Sequence, residues 1–408
     1  MAMAGQFVLE ENRRSIPATM HAAVYRGVND VRLETVPVPE IGAGELLLRV
    51  HTCGICGTDL KKIATGSHSV PRIFGHEMAG VVAAVGQSVH DFKVDDRVVV
   101  FHHIPCQDCF YCRRKTFAQC ETYKKVGCTA GFEPSGGGFA EYVRVMDWIV
   151  RQGTVRIPPE VSFEQACFLE PVNTCMKGIE RLGLEAGETV VVIGQGPIGI
   201  ILSVLAKRAM DVGSRKDRSG RVGDRSDSRP SEDDRAHTAG DQDRSVLVTS
   251  DLYPQRLTIS TSYGLRNSID ASRVDVVRAV REQTEGRGAD VAILAVASNG
   301  LIRTAMDAVR PGGRVLLFAQ TAHGDAAFDP GAVCVDEKTL VGSFSASVEL
   351  QDDSVRFVMG GEMDLERLIS HRFPLSRSVE ALKLAAHPQP DSMKIVIQPG
   401  SSWEGCRT

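Results

Sequence analysis

The stretch TVVVIGQGPIGIILSVLAKRA, residues 189–209, joins a short β-branched run to a helical run through three glycines. Gly194 permits a tight turn, Gly196 lets a phosphate approach the backbone, and Gly199 lets helix and strand pack closely. The N-terminus of the helix then faces the phosphates. The pattern therefore predicts a dinucleotide site whose loop residues are Gly194, Gly196, Pro197, Ile198 and Gly199.

Strand-like and helical runs alternate on the C-terminal side of this loop. SVLVTSD, ADVAILAV and GRVLLFA are typical of strands, and PQRLTISTSYG, VDVVRAVREQTEG and NGLIRTAMDAVR are typical of helices. This alternation predicts a parallel sheet wrapped by helices. On the N-terminal side, short strand-like runs such as 20–25, 45–50 and 79–85 alternate with glycine-rich turns. They predict a β-rich, barrel-like domain up to about residue 170.

The end of the second strand of a dinucleotide-binding sheet should carry an acid that binds the ribose hydroxyls. Asp251 closes SVLVTSD and is predicted to do so, although it lies 52 residues beyond Gly199 where about 20 is usual. Asp217 has nearly the usual spacing but follows no apolar run. A carboxylate at this position repels a 2′-phosphate, which favours NAD, whereas Arg256 would accept that phosphate.

Residues 211–244 account for the excess spacing. They contain nine acidic residues, eight Arg or Lys and, as large apolar residues, only two valines. Such a segment cannot bury enough apolar surface to offset chain entropy of about 1–2 kcal/mol per residue, so we predict a disordered excursion. Two origins fit it: an inserted loop, or a stretch of a GC-rich gene translated out of frame.

Bulk composition bounds the class of protein. A chain of 408 residues is expected to form two or three domains, and 43% apolar residues are normal for a globular protein. The net charge of −4 gives no basic surface for nucleic acid or anionic membrane. No apolar run reaches a membrane span and the N-terminus has no apolar h-region long enough for a signal peptide, so a cytosolic location is predicted. Residues 1–19 resemble a loose leader.

Four of the eleven cysteines are spaced C-x2-C-x2-C-x7-C within residues 106–120. In a reducing compartment such a cluster predicts a closed tetrahedral zinc site, which is structural because it leaves no position for water. Free thiols and a redox C-x-x-C motif are the alternatives. The predicted ligands are Cys106, Cys109, Cys112 and Cys120.

A second set of metal ligands lies in CGICGTD, FGHE and FLEPV. Cys56, His76, Glu77 and Glu170 supply a thiolate, an imidazole and carboxylates, which suit a zinc ion with an open position for substrate. Zinc there lowers the pKa of an alcohol, and Thr58 could pass the hydroxyl proton outward. Taken singly, Cys56 and His76 also fit a buried thiol and a core histidine.

The chain resembles the zinc-containing medium-chain alcohol dehydrogenases, in particular the branch with sorbitol and threonine dehydrogenases. The resemblance spans roughly residues 20–210 and 245–400. The residues that carry it are CGICGTD (53–59), GHE (75–77), the four cysteines, LEP (169–171), GQGPIG (194–199) and HRFPL (371–375).

The resemblance assigns roles to single residues. It implies that Cys56 and His76 are catalytic zinc ligands, and that Glu77 or Glu170 ligates the ion or holds its water. It implies that Thr58 begins a proton relay and that Lys394 meets the cofactor. Lys61 stands where some members have histidine, which leaves the rest of the relay undefined.

The resemblance also implies an α/β fold with a β-barrel, in which a GroES-like catalytic domain is joined to a Rossmann domain. The expected ranges are 20–172 for the catalytic domain, 173–341 for the Rossmann domain and 342–408 for a return to the first. The implied function is oxidation of a secondary alcohol, polyol or amino alcohol by NAD in a homodimer or homotetramer with two zinc ions per subunit. An impaired, non-catalytic relative, an NADP-dependent carbonyl reductase and a zinc-ribbon interaction module are the alternatives.

Overall fold

A computed structural model describes residues 16–125, 136–219, 245–319 and 324–399. Its contacts divide the chain into two units. One comprises the chain up to Thr174 together with the chain from Ser345 onward, and the other is Cys175–Phe344. Within the described ranges, no helix combines the length and the apolar character that a bilayer crossing requires.

The strands and helices are numbered separately in chain order. The strands are β1 (Thr19–Gly27), β2 (Asp30–Pro37), β3 (Leu46–Gly54), β4 (Arg72–Ile73), β5 (Glu77–Val85), β6 (Arg97–Val100), β7 (Tyr142–Val145), β8 (Thr154–Arg156), β9 (Thr189–Ile193), β10 (Val246–Asp251), β11 (Ser268–Asp270), β12 (Ala289–Leu294), β13 (Val309–Leu317), β14 (Thr339–Gly342), β15 (Ile369–Pro374) and β16 (Lys394–Gln398). The helices are α1 (Gly57–Thr65), α2 (Glu121–Lys125), α3 (Asp147–Gly153), α4 (Phe163–Ala166), α5 (Leu169–Leu182), α6 (Pro197–Ser219), α7 (Pro254–Ser262), α8 (Val276–Gln283), α9 (Gly300–Ala308), α10 (Pro330–Cys334), α11 (Gln351–Met359) and α12 (Ser378–Ala386).

The first unit is built on two sheets. The larger has the order β15-β16-β3-β5-β6-β8, with β7 also paired to β3, and the smaller has the order β2-β1-β4. β3 and β6 are rich in leucine and valine, and most of their residues are buried, as expected of strands covered on both faces. Gly54, at the end of β3, pairs with Glu77 of β5 and with Val396 of β16. The end of β3, the start of β5 and the middle of β16 therefore meet at one place.

The second unit holds a six-stranded sheet in the order β11-β10-β9-β12-β13-β14. All of its pairings are parallel, and every residue of β9 is buried. Taking β9 as the first strand, the order is 3-2-1-4-5-6, which is that of dinucleotide-binding domains. The predicted fold class, a β-rich catalytic domain with a Rossmann domain, is confirmed.

Helix α6 extends farther than the sequence analysis predicted. Its described residues reach Ser219, so residues 211–219 continue the helix instead of beginning an excursion. Once a helix is nucleated each further residue adds a hydrogen bond, and Arg, Lys, Asp and Ser cost little more than other residues there. An absence of apolar residues therefore did not mark the helix end. Residues 220–244 and the leader up to residue 15 lie outside the described residues.

Candidate active site

Three predicted residues of the first unit bring a thiol, an imidazole and a carboxylate together. Cys56 follows β3, and His76 and Glu77 stand at the start of β5. One ligand atom from each lies within 4.8 Å of the other two, and His76 and Glu77 are buried. Sulfur, imidazole nitrogen and carboxylate oxygen are the ligands that zinc takes in catalytic sites, so this set fits zinc with a position left for substrate.

Cys56 is held in place by the start of helix α1. Its sulfur accepts a hydrogen bond from the backbone N–H of Thr58 at 3.4 Å, and it is the N-cap residue of the helix. The side chain of Asp59 accepts in return from the N–H of Cys56 at 3.2 Å, which completes a capping box. The sequence CGICGTD therefore both starts a helix and aims a thiol.

Asp59 was not predicted as a site residue. It is fully buried, and its Oδ1 lies 3.2 Å from Nδ1 of His76. Burial raises the pKa of Asp59, but His76, Lys62 and the N–H of Cys56 together outweigh burial and lower the pKa overall. A carboxylate on Nδ1 fixes the ring and leaves Nε2 as the ligand, the usual arrangement behind a metal-binding histidine. In the sequence, Asp59 is the third residue of GTD. That position alone indicates a helix cap and does not indicate a contact with His76.

Lys394 lies against Glu77 in the buried part of the site. Its Nζ forms an ion pair with Oε2 of Glu77 and donates to the backbone oxygen of Ile55 at 3.2 Å. Burial lowers the pKa of Lys394, but the charges of Glu77 and Cys56 outweigh it and raise the pKa overall. The predicted contact of Lys394 with a cofactor stays a prediction.

Gly54 is the residue that leaves room for this ion pair. A Cβ there would lie 2.0 Å from Oε2 of Glu77 and 2.7 Å from Cε of Lys394. We expect Gly54→Ala to displace Glu77, to cost about 1–3 kcal/mol of stability, and to lower zinc retention after dialysis. Gly57→Ala is the matched control, because a Cβ at Gly57 meets nothing within 4 Å. Equal zinc content in both variants would contradict this role of Gly54.

Glu170 and Thr58 lie outside the three-residue cluster. Glu170 is buried on α5, where its Oε1 is 3.3 Å from Nε2 of His103. Burial raises the pKa of Glu170 to about 7, with Glu77 acting in the same direction and His76 against it. Thr58 is half-buried in the first turn of α1. The ligand role of Glu170 and the relay role of Thr58 stay predictions.

The four predicted cysteines 106, 109, 112 and 120 also converge, with their sulfurs within 4.8 Å of one another. The Cys109 and Cys112 sulfurs are 3.5 Å apart, and those of Cys106 and Cys112 are 3.9 Å apart. Tetrahedral zinc with bonds of about 2.3 Å sets its sulfurs about 3.8 Å apart, whereas a disulfide needs about 2 Å. The N–H of Asp108 lowers the pKa of Cys106 to about 6, whereas burial raises the pKa of Cys112 to about 12. We name these four residues the cysteine lobe.

The glycine loop of the second unit has the predicted form. Gly194 has a φ of 97°, which favours glycine, and a Cβ on Gly199 would lie 1.9 Å from the Gly194 oxygen. At the end of β10, Asp251 accepts from the N–H of Gln195 at 2.6 Å and from that of Tyr253 at 2.9 Å. Arg256 Nη1 lies 4.0 Å from Asp251. The residues predicted to bind the pyrophosphate and the ribose thus adjoin one another.

Two glycines of this loop should respond differently to alanine. A Cβ on Gly196 meets nothing within 4 Å, so Gly196→Ala should leave thermal stability unchanged while its methyl group fills the space that a pyrophosphate needs. We expect NADH binding, followed by fluorescence, to weaken roughly tenfold. Gly199→Ala should instead destabilise the unit because of its clash with Gly194. Undiminished NADH binding by Gly196→Ala would exclude this loop as the phosphate site.

Comparison with known proteins matches both units. Residues 42–158 match the family model described as alcohol dehydrogenase GroES-like domain, and residues 245–358 match the one described as zinc-binding dehydrogenase. Sorbitol dehydrogenase of Bacillus subtilis is 26% identical, with 94% of this chain and 99% of that protein covered. L-threonine 3-dehydrogenase of Rhizobium etli is 28% identical, with 84% and 88% covered. The solved alcohol dehydrogenase of Thermus sp. ATN1 is 27% identical, has a TM-score of 0.73, and is matched over 93% of this chain and 99% of that one.

Proposed function

Since the chain belongs to the zinc-containing medium-chain alcohol dehydrogenases, we propose that it transfers a hydride between a secondary alcohol and NAD. The observation that carries the proposal is the set of half-buried Cys56 and buried His76 and Glu77, whose ligand atoms lie within 4.8 Å of one another. Zinc bound by these ligands would supply Lewis-acid polarisation of an alcohol oxygen.

The side chains around this set would orient the ligands, balance their charge and move the substrate proton. Asp59 fixes the His76 ring, and Lys394 balances the charge of Glu77 in the protein interior. Thr58 would relay the hydroxyl proton, accepting it while its own hydroxyl proton passes outward, and NAD when bound would supply the hydride acceptor. The reaction therefore gives a ketone, a proton and NADH, and the chain's part is to orient the groups and stabilise charge.

The substrate class follows from what the named relatives share. Sorbitol and threonine each have a secondary hydroxyl whose neighbouring carbon carries a second oxygen or a nitrogen. We propose that the substrate of this chain is a polyol, vicinal diol or amino alcohol of this kind. A simple secondary alcohol with only hydrocarbon groups on either side lacks this second polar group.

The experiment is a panel of polyols, diols, amino alcohols and simple alcohols, assayed by NADH absorbance with and without a chelator. We expect turnover that the chelator abolishes and that added zinc restores, with the highest kcat/KM for substrates that carry the neighbouring polar group. Failure on every alcohol, together with no binding of NADH, would instead support the impaired, non-catalytic alternative.

Preference for NAD over NADP rests on Asp251, whose carboxylate accepts from two backbone amides beside the glycine loop. We expect kcat/KM to be higher with NAD, because the carboxylate repels a 2′-phosphate. Asp251→Ser should reduce the ratio of the two kcat/KM values by about tenfold or more. A higher kcat/KM with NADP in the unaltered protein would favour Arg256 as the deciding residue and contradict the assignment of Asp251.

The proposal extends to metal content and assembly. We expect two zinc ions per subunit, one in each cysteine-containing site, in a cytosolic homodimer or homotetramer. Elemental analysis of freshly purified protein measures the first expectation, and light scattering on a sizing column measures the second. A single zinc equivalent that Cys106→Ser leaves unchanged would remove the cysteine lobe from the proposal.

A further inference from the structure

His103 is the second of two histidines that follow β6, and no sequence motif marks it. It is buried, and its Nδ1 accepts a hydrogen bond from the backbone N–H of Ala346 at 3.0 Å. The hydroxyl of Ser345 lies 2.8 Å from the same nitrogen. On the far side of the ring, Nε2 lies 3.3 Å from Oε1 of Glu170.

These contacts define which nitrogen of His103 carries the proton. Because the N–H of Ala346 points at Nδ1, Nδ1 is the acceptor and holds no proton. A neutral ring must then carry its proton on Nε2, which lies 3.3 Å from Oε1 of Glu170 and can donate to it. The backbone N–H of Ala346 therefore determines the tautomer of His103. In general, the hydrogen bond that one ring nitrogen of a histidine makes determines the protonation of the other.

The backbone that imposes this tautomer is held in an uncommon conformation. Ser345 has a φ of 61°, in the left-handed region that residues other than glycine rarely adopt. Its hydroxyl also lies 3.2 Å from that of Tyr123, whose backbone N–H donates to the sulfur of Cys120 at 3.5 Å. A strained backbone conformation persists only where the surrounding contacts enforce it, and such conformations are frequent at functional sites.

His103 and Glu170 lie next to the candidate metal ligands. The rings of His103 and His102 are 4.0 Å apart at their centroids, and those of His102 and His76 are 5.3 Å apart. The carboxylate of Glu170 interacts electrostatically with His76 and Glu77. A displacement of Glu170 would therefore alter the charge around the metal ligands.

We propose that His103 is a positioning residue for the reaction, which donates from Nε2 to hold Glu170 beside the set of Cys56, His76 and Glu77. The inference rests on the proposed function and deepens it. His103 acts by fixing the carboxylate through the path from Ala346 to Glu170.

Two substitutions test the two ring nitrogens of His103 separately. In His103→Gln the amide nitrogen reaches the position of Nε2 and can donate to Glu170. In His103→Asn the amide reaches only the position of Nδ1, so it can accept from Ala346 but cannot contact Glu170. We expect His103→Asn to lower kcat by roughly 10–100-fold, as loss of such outer contacts generally does, while KM changes little. We expect His103→Gln to stay within about threefold of the unaltered enzyme.

The measurements are kcat, KM, the thermal unfolding midpoint, and zinc at the candidate active site. That zinc is measured after dialysis against a weak chelator, as the difference in zinc equivalents between each protein and the same protein carrying Cys56→Ser. We expect His103→Asn to retain less zinc than His103→Gln at equal unfolding midpoints. Any result in which Gln does not exceed Asn overturns the positioning role, whether both are active or both are destabilised.

The two proposals fail in different ways. An unaltered protein that turns over no alcohol removes the proposed function, and the zinc comparison between the two variants still decides the role of His103. An active unaltered protein whose His103→Asn variant retains full kcat and full zinc removes the positioning role and leaves the proposed function intact.

Discussion

Cys56→Ser is expected to abolish turnover, by about 10³-fold or more, while leaving the chain folded. The thiolate is a zinc ligand that a hydroxyl replaces poorly, and Lewis-acid catalysis is worth several kcal/mol at about 1.4 kcal/mol per factor of ten. Serine is nevertheless a favoured N-cap residue, so helix α1 should keep its start. Zinc content should fall by one equivalent, and circular dichroism should remain that of the unaltered protein.

Cys53→Ser is the matched control for this substitution. Cys53 is a fully buried thiol three residues earlier, and it lies outside the three-residue cluster. We expect it to keep its zinc and most of its activity. Turnover by Cys56→Ser within tenfold of the unaltered enzyme would exclude Cys56 as a catalytic ligand, whatever the zinc content.

Cys112→Ser is expected to produce the largest loss of stability. Cys112 is the buried centre of the cysteine lobe, with its sulfur near those of Cys106 and Cys109. Binding energy at a closed zinc site stabilises the fold, by about 4 kcal/mol when free metal exceeds Kd a thousandfold. For a unit of this size that is a fall of roughly 10 °C in the unfolding midpoint.

The control for the cysteine lobe is Cys334→Ser, at an exposed free thiol on α10. It should change neither zinc content nor midpoint. A chelator should lower the midpoint of the unaltered protein toward that of Cys112→Ser and should have little further effect on the variant. If Cys112→Ser retained both zinc equivalents, the lobe would not be a metal site.

Local patterns predicted the glycine loop, the parallel sheet and the metal ligands near one another in sequence. The run from β9 through Gly194 to α6 is a continuous signal, and the four cysteines lie within fifteen residues. Cys56 and His76 are farther apart, and they were predicted from the motifs CGICGTD and GHE and from the resemblance. The neighbouring strands were predicted only as residues 45–50 and 79–85, and the pairing of Gly54 with Glu77 was not predicted. Periodicity and spacing were sufficient where the partners lie on one continuous stretch of sequence.

Roles that depend on distant contacts were not predictable in this way. His103 meets residues 242 and 243 positions away, and no local pattern relates FHHIP to SFSAS. Asp59 matches a helix cap so well that its second contact, with His76, had no separate signal. The end of α6 was misplaced for a different reason, because helix propensity varies too little among polar residues to mark it.

The ion pair between Lys394 and Glu77 bears on how the protein acquires metal in a cell. Each of the three candidate ligands has its own partner within the chain: the Thr58 amide for Cys56, Asp59 for His76, and Lys394 for Glu77. The apoprotein therefore buries no uncompensated carboxylate at Glu77, and folding need not await loading. An incoming zinc ion must compete with the Lys394 ammonium group for one oxygen of Glu77. The affinity for zinc is therefore lower, but the fold depends less on zinc at this site. A chain whose cysteine lobe keeps its zinc would therefore stay folded while this second site is unloaded, ready to recover activity without new synthesis.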